Sequence, residues 1–284
     1  MDPKQIARLV ELACLLEVMA PKPGNVNRRY DFVDTTFEDF VLSAWASATA
    51  FVQCESLTVG QLVLQGVRAT QKVVATNTNL GILLLLAPMA KAAVISPDLG
   101  ALRYELIQVL DKLTVADARD VYAAIRATKA GGLRVVPEQD VAQEPTVSLL
   151  EAMEMSQSYD GIAREYCSGF NYTFTIGFPA LQQALTTYKC WTTAVVQAYL
   201  QLLAVVPDTL IARKAGAEQA NMVSRQAQQV LVASDLNSED GRHKLASFDG
   251  YLRREGNRLN PGTTADLITA VIFAHLVLNG YEGY

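Results

Sequence analysis

The chain has 284 residues, 50% of them apolar and 19% charged, with a formal net charge of −5. That length and composition describe a well-cored folded protein rather than a disordered one. The acidic balance, with no basic block to offset it, argues against a general nucleic-acid binder.

Apolar residues recur at helical spacing almost throughout, and hairpin signals between alternating strands are absent. The expected fold is therefore all-α, a single large multi-helix globular domain. The first stripe, 4–20, aligns Ile6, Leu9, Val10, Ala13 and Leu16. It stops at Pro21-Lys22-Pro23-Gly24-Asn25-Val26-Asn27, because proline lacks the amide donor and fixes φ. With Glu17 one turn before it and Asp31 and Asp34 after it, this elbow can hold a carboxylate, an ammonium and an amide at fixed separations; a plain helix-terminating turn is the other reading. Further stripes run over 37–53, 58–74, 80–94, 101–113, 117–127, 146–156, 159–170, 178–186, 191–204, 209–232, 240–255 and 264–279. Thr36 and Thr146 stand as N-caps of two of them. The stretch 80–94 is apolar nearly all round, too short to span a bilayer and interrupted by Pro88 and Lys91, so it reads as a helix buried on every side. The longest aperiodic segment, 129–145, is expected to be a functional loop inside one domain rather than a linker.

Cys14, Cys54, Cys167 and Cys190 are scattered without CxxC or metal-ligand spacing. The opening residues show no basic stretch followed by an apolar core and cleavage site, so free thiols in a cytoplasmic protein are expected, with no membrane association.

Four polar clusters interrupt the aliphatic pattern: the elbow; Thr76-Asn77-Thr78-Asn79; Asp208-Thr209 with Arg213 and Lys214; and the run Asn257-Arg258-Leu259-Asn260-Pro261-Gly262-Thr263-Thr264-Ala265-Asp266. Capping accounts for much of this. The second cluster precedes the most apolar helix, where exposed amides also suit an anion. Asp208 is placed to cap the helix after it, and its two cations fit a solvated face. Thr263 or Thr264 can cap the last helix, with Asp266 favoured by its dipole. Phosphate-loop and dinucleotide motifs are missing, and neither His243 nor His275 is spaced for a triad or zinc site. Acid–base work falls to carboxylates, and any metal is a hard, oxygen-liganded ion such as Mg²⁺.

In order, Glu17 with Pro21-Lys22-Pro23-Gly24-Asn25-Val26, then Asn77-Thr78-Asn79-Leu80-Gly81, then Asp208-Thr209 with Lys214-Ala215-Gly216, then Asn260-Pro261-Gly262-Thr263-Thr264-Ala265-Asp266-Leu267 resemble the triphosphoribosyl-dephospho-CoA synthase family over nearly the whole chain. The resemblance implies an all-helical enzyme in which ATP donates its ribose triphosphate: adenine leaves the ribose C1 and a hydroxyl of dephospho-CoA replaces it, giving a prosthetic-group precursor. On that implication Glu17 or Asp34 is the general base or stabilises the cationic ring, and Asp208 and Asp266 hold metal or ribose. Lys22, Arg213 and Lys214 hold phosphate. Asn25, Asn77, Thr78, Asn79, Asn260 and Thr263 position sugar or phosphate oxygens.

The chain departs from the citrate-system synthases at three points: Asn79-Leu80 replaces His-Lys, and Phe32 and Leu210 replace histidines. Each lost charge-assisted contact weakens the hold on a triphosphate by roughly 1.5–3 kcal/mol. The Asn-Leu version resembles a branch found in one-carbon-metabolising microbes. A second reading follows: transfer from phosphoribosyl pyrophosphate to a methanopterin-type pterin precursor. A third is a scaffold that binds a nucleotide or partner without catalysis. The apolar stripes are compatible with a homodimer as well as with one thick core.

Overall fold

The computed structural model describes residues 1–96, 98–128, 139–233, 235–281 and 283. Among them the chain forms fourteen α-helices, one π-helical turn and no strand beyond an isolated bridge between Asn27 and Tyr30. The all-α expectation holds.

The helices are α1 (Pro3–Met19), α2 (Phe37–Phe51), α3 (Val59–Thr70), α4 (Leu80–Ala93), α5 (Leu99–Asp111), α6 (Val115–Thr128) and α7 (Leu149–Ser156). They continue as α8 (Gly161–Ser168), α9 (Phe178–Tyr188), α10 (Trp191–Val205), α11 (Thr209–Ala215), α12 (Ala217–Ala233), α13 (Glu239–Leu252) and α14 (Gly262–Asn279). Two of them, α4 and α14, are apolar on all faces and form the centre. α14 packs on α1, α4, α9 and α10, while α4 packs on α3, α5 and α14. By length and composition α14 could cross a membrane, but 67% of it is buried within the fold. Lys91 interrupts the apolar run of α4 for a local reason: its ammonium donates to the Cys54 carbonyl at 3.0 Å and to that of Leu57, satisfying orphan groups in the α2–α3 turn. His275 packs edge-on against Trp191, with ring centroids 5.4 Å apart.

Helix starts follow side-chain chemistry. Thr36 accepts from the Asp39 N–H while the Asp39 carboxylate accepts from the Thr36 N–H, a reciprocal box that fixes the start of α2. At α7 the cap is Ser148, boxed with Glu151, and not Thr146, which instead exchanges hydrogen bonds with Gln139. Of the loop expected over 129–145, residues 129–138 lie outside the described residues. The stripe 209–232 is two helices, because Gly216 at φ +94° breaks it. The π-helical turn Thr173–Gly177 was not legible from periodicity; Glu165 secures it by accepting from the Tyr172 and Thr173 N–H groups and the Thr173 hydroxyl.

Asp117 on α6 accepts from the Gly60 N–H at 2.9 Å, at the start of α3, and from the Thr114 N–H and hydroxyl. Burial pushes its carboxyl up, but these donors outweigh burial and hold it below the ordinary aspartate value. A carboxyl depressed in the folded state adds stability above its unfolded value of about 3.9 and loses it as pH falls through the folded one. Asp117→Asn is expected to cost about 1–3 kcal/mol in denaturant unfolding at pH 7. That deficit should shrink below about pH 4, as the wild-type carboxyl is itself protonated.

Candidate active site

The elbow that ends α1 closes on itself. Lys22 is fully buried, its ammonium 2.9 Å from Glu17 Oε1, and it also donates to the carbonyls of Glu17 and Ala20. A cation against the last carbonyls of a helix is favoured by the dipole and fills their empty valences. Burial pushes the Glu17 carboxyl up and the Lys22 ammonium down, and each partner's charge opposes the other's shift. Lys22 therefore has no donor left for phosphate, and its expected role is corrected: it neutralises Glu17 and locks the turn. Asn25 donates to the Tyr199 hydroxyl on α10 at 2.9 Å, and that hydroxyl donates to the Pro23 carbonyl at 2.8 Å. So the Asn25 amide is likewise committed to holding the elbow.

Gly24, at φ +75°, donates its N–H to Asp249 on α13 at 2.8 Å; an added Cβ would lie 2.8 Å from Leu252 Cδ1. Arg253 grips Asp249 through Nε at 2.9 Å, donates to the Asn25 carbonyl at 2.6 Å and lies 4.7 Å over the Tyr30 ring. Downstream, Asp34 is exposed at the rim.

The second half of the site is built by Asp208. One carboxylate oxygen accepts from the N–H groups of Leu210 and Ile211, at 2.9 and 3.1 Å, capping α11. The other accepts from the N–H and hydroxyl of Thr264, at 2.7 and 2.8 Å. With both oxygens taken, Asp208 is a buried tie between α11 and α14; the metal-ligand expectation is corrected. Thr264 answers Asp208, so it does not cap its own helix, and Thr263 shares a 3.1 Å hydroxyl contact with Thr209. Arg213 pairs through Nη1 at 2.7 Å with Asp160, whose other oxygen caps α8, while its Nε is buried without a partner. Lys214 donates to the Asn257 carbonyl at 3.1 Å. Burial lowers the Lys214 ammonium's pKa, opposed by the nearby charges of Asp34 and Asp208.

Asp266 stands apart. Among the described residues no hydrogen bond or ion pair reaches its carboxylate, which keeps some surface open to solvent. It lies against the entrance of α4, where an added Cβ on Gly81 would fall 2.1 Å from Asp266 Oδ2. Burial pushes its carboxyl well above the ordinary aspartate value; the charges of Glu17, Asp208 and Asp160 push it further, and only Arg213 opposes them.

The cluster around Asn77 joins the site through Gly81 rather than through its amides. Asn77 accepts from the Leu80 N–H, Asn79 pairs with Thr70 on α3, and Thr78 meets Ser43 on α2. Asn260 Oδ1 is buried without a partner, a vacancy a ligand hydroxyl could fill. Sequence reading missed Asp160, Tyr199, Asp249 and Arg253. Asp160 ahead of an apolar stripe was a readable cap signal, whereas Tyr199 inside an apolar helix offered none. No three Asp, Glu, His or Cys side chains converge among the described residues to hold a metal. With Asp208 occupied, the described residues do not gather a ligand set for Mg²⁺.

Removing one partner of the buried pair strands the other's charge. Glu17→Ala is expected to lower unfolding free energy by about 3–5 kcal/mol, measured by denaturant midpoints. The double replacement Glu17→Leu with Lys22→Met should recover most of that loss.

A family model described as ATP:dephospho-CoA triphosphoribosyl transferase matches residues 3–283. A Pectobacterium atrosepticum 2-(5''-triphosphoribosyl)-3'-dephosphocoenzyme-A synthase is 33% identical over 118 residues, 42% of this chain and 37% of its own. A Pseudomonas syringae pv. syringae protein provisionally given the same designation is 25% identical over 157 residues, 55% of this chain and 53% of its own. The chain thus aligns with about half or less of these curated relatives. A crystal structure from Archaeoglobus fulgidus, provisionally assigned as triphosphoribosyl-dephospho-CoA synthase, superposes with TM-score 0.64 at 26% identity, covering 84% of this chain and 99% of that one. Matched almost end to end by the family model, with a relative of like fold, the chain belongs to the ATP:dephospho-CoA triphosphoribosyl transferase family.

Proposed function

We propose that this protein, acting as one catalytic unit in the cytoplasm, is a pentosyltransferase that moves a triphosphoribosyl group from ATP to a hydroxyl of dephospho-CoA and releases adenine. The observation that carries the reading is Asp266: a carboxylate with no donor, beside the glycine entrance of α4 and within the field of Glu17, Asp208 and Asp160. In the transfer the bond from ribose C1 to the adenine nitrogen breaks with its electron pair going to adenine, and a C1–O bond forms to the acceptor. Asp266 takes the hydroxyl proton and the departing adenine nitrogen takes up a proton in turn, a role suited to a carboxyl held above the ordinary aspartate value. The surrounding negative charge favours the cationic ring of the transition state. Glu17, already neutralised by Lys22, contributes by position and field rather than as the base. Asp34 stands with Lys214 at the rim, where the phosphates enter. ATP comes to the site with its own Mg²⁺.

One observation favours the second reading. Lys22, Arg213 and Lys214 all have protein partners, and a transferred ribose that carries one phosphate instead of three asks less of them. Phosphoribosyl pyrophosphate with a methanopterin-type pterin acceptor would then release pyrophosphate. Incubation with Mg²⁺, ATP and dephospho-CoA, assayed for free adenine, decides; adenine from that mixture supports the first reading, and pyrophosphate only from the pterin mixture replaces it.

Asp266→Asn is expected to lower adenine release at least about 100-fold. A carboxyl raised in the folded state is fully stabilising below its unfolded value of about 3.9 and loses that contribution as pH rises through the folded value. The variant should therefore melt higher than wild type at pH 7 although it is inactive. Wild-type turnover should fall as pH drops through an apparent pKa above the usual carboxylate range.

A further inference from the structure

A cavity of about 790 Å³ lies beside Asp266 and holds, of the family motif residues, Thr209 and Gly216 alone. It is enclosed by α6, α7, α8, α11 and α12, with Tyr122, Met153 and Ile162 among its walls. Met155 and Tyr159, 48% and 50% exposed, stand at its mouth. Ile162 is the partition between this space and the carboxylate: a Cβ built on Gly81 would touch Ile162 Cδ1 at 2.9 Å and Asp266 Oδ2 at 2.1 Å.

Its lining offers little unpaired positive charge to a phosphate. The cationic side chains lining it are Arg164, which donates to the carbonyls of Gln157 and Ser158, and Arg213, paired with Asp160. What remains suits a flat, uncharged ring. Apolar and aromatic walls supply the contact area, and Asn221 presents an amide whose donor and acceptor match the edge of an adenine. At the Asp266 end, Arg213 Nε is buried without a partner, a donor left for a sugar hydroxyl.

We infer that this cavity seats a purine nucleoside, base in the apolar chamber and ribose toward Asp266, with the phosphates left outside. The inference rests on the transferase reading only for the source of that nucleoside, since ATP and dephospho-CoA both carry adenosine.

Adenosine itself is the probe. Calorimetry should show it binding the wild-type protein, and more than tenfold weaker binding to Met153→Trp and Ala217→Trp, which fill the chamber from a half-buried and an exposed position. Met153→Leu, close in volume, should bind as wild type does, and all three variants should keep the wild-type helical signal and melting temperature. In turnover assays the filled variants should raise KM more than tenfold for ATP alone, marking the chamber as the donor's, or for dephospho-CoA alone, marking it as the acceptor's. Adenosine that fails to bind wild type, or binds the filled variants equally well, overturns the inference whatever the activity shows. Absent turnover with intact, variant-sensitive adenosine binding would overturn only the transferase reading.

Discussion

A single buried carboxylate sets the relation between the two halves of this site. Asp208 accepts hydrogen bonds from two amides at the start of α11 and from the backbone and hydroxyl of Thr264 at the start of α14. Burying a carboxylate is costly unless donors replace its water, and four of them do so here. The tie fixes the end of α14 that carries Asp266, and fixes α11, whose Arg213 then meets Asp160 at the start of α8. Three helix termini are thereby held around one open carboxylate.

Much of the positive charge serves to hold the site together. Lys22 neutralises Glu17, Arg213 neutralises Asp160, and Lys214 gives one hydrogen bond to a carbonyl. The group left without a donor in the middle is the Asp266 carboxyl, which when ionised has the sign that the proposed transfer wants near a sugar carbon that becomes cationic.

The helices were readable because their apolar stripes are long and period 3.6 is hard to imitate; Thr36 was readable as a cap, and its reciprocal bond with Asp39 came only with the structure. The break at Gly216 was missed because the apolar pattern continues across it, and the π-helical turn because one inserted residue barely disturbs the stripe. At the site, sequence could nominate Glu17, Asp208 and Asp266 by residue type and company. It could not show that Asp208 has both oxygens occupied or that Lys22 turns inward, since both depend on partners that tertiary packing supplies: Thr264 is 56 positions from Asp208. Lys22 shows the limit most plainly, because a lysine in a polar elbow reads as exposed until the helix end it covers is in view.

The Arg253 clamp has a mechanical consequence. Asp249 and Arg253 stand one turn apart on the end of α13, and between them they hold the Gly24 amide, the Asn25 carbonyl and the face of Tyr30. Loss of that one guanidinium would free the Asn25 carbonyl, the Asp249 carboxylate and the Tyr30 face together, while the Lys22–Glu17 pair and the Tyr199 hydroxyl still hold the elbow itself.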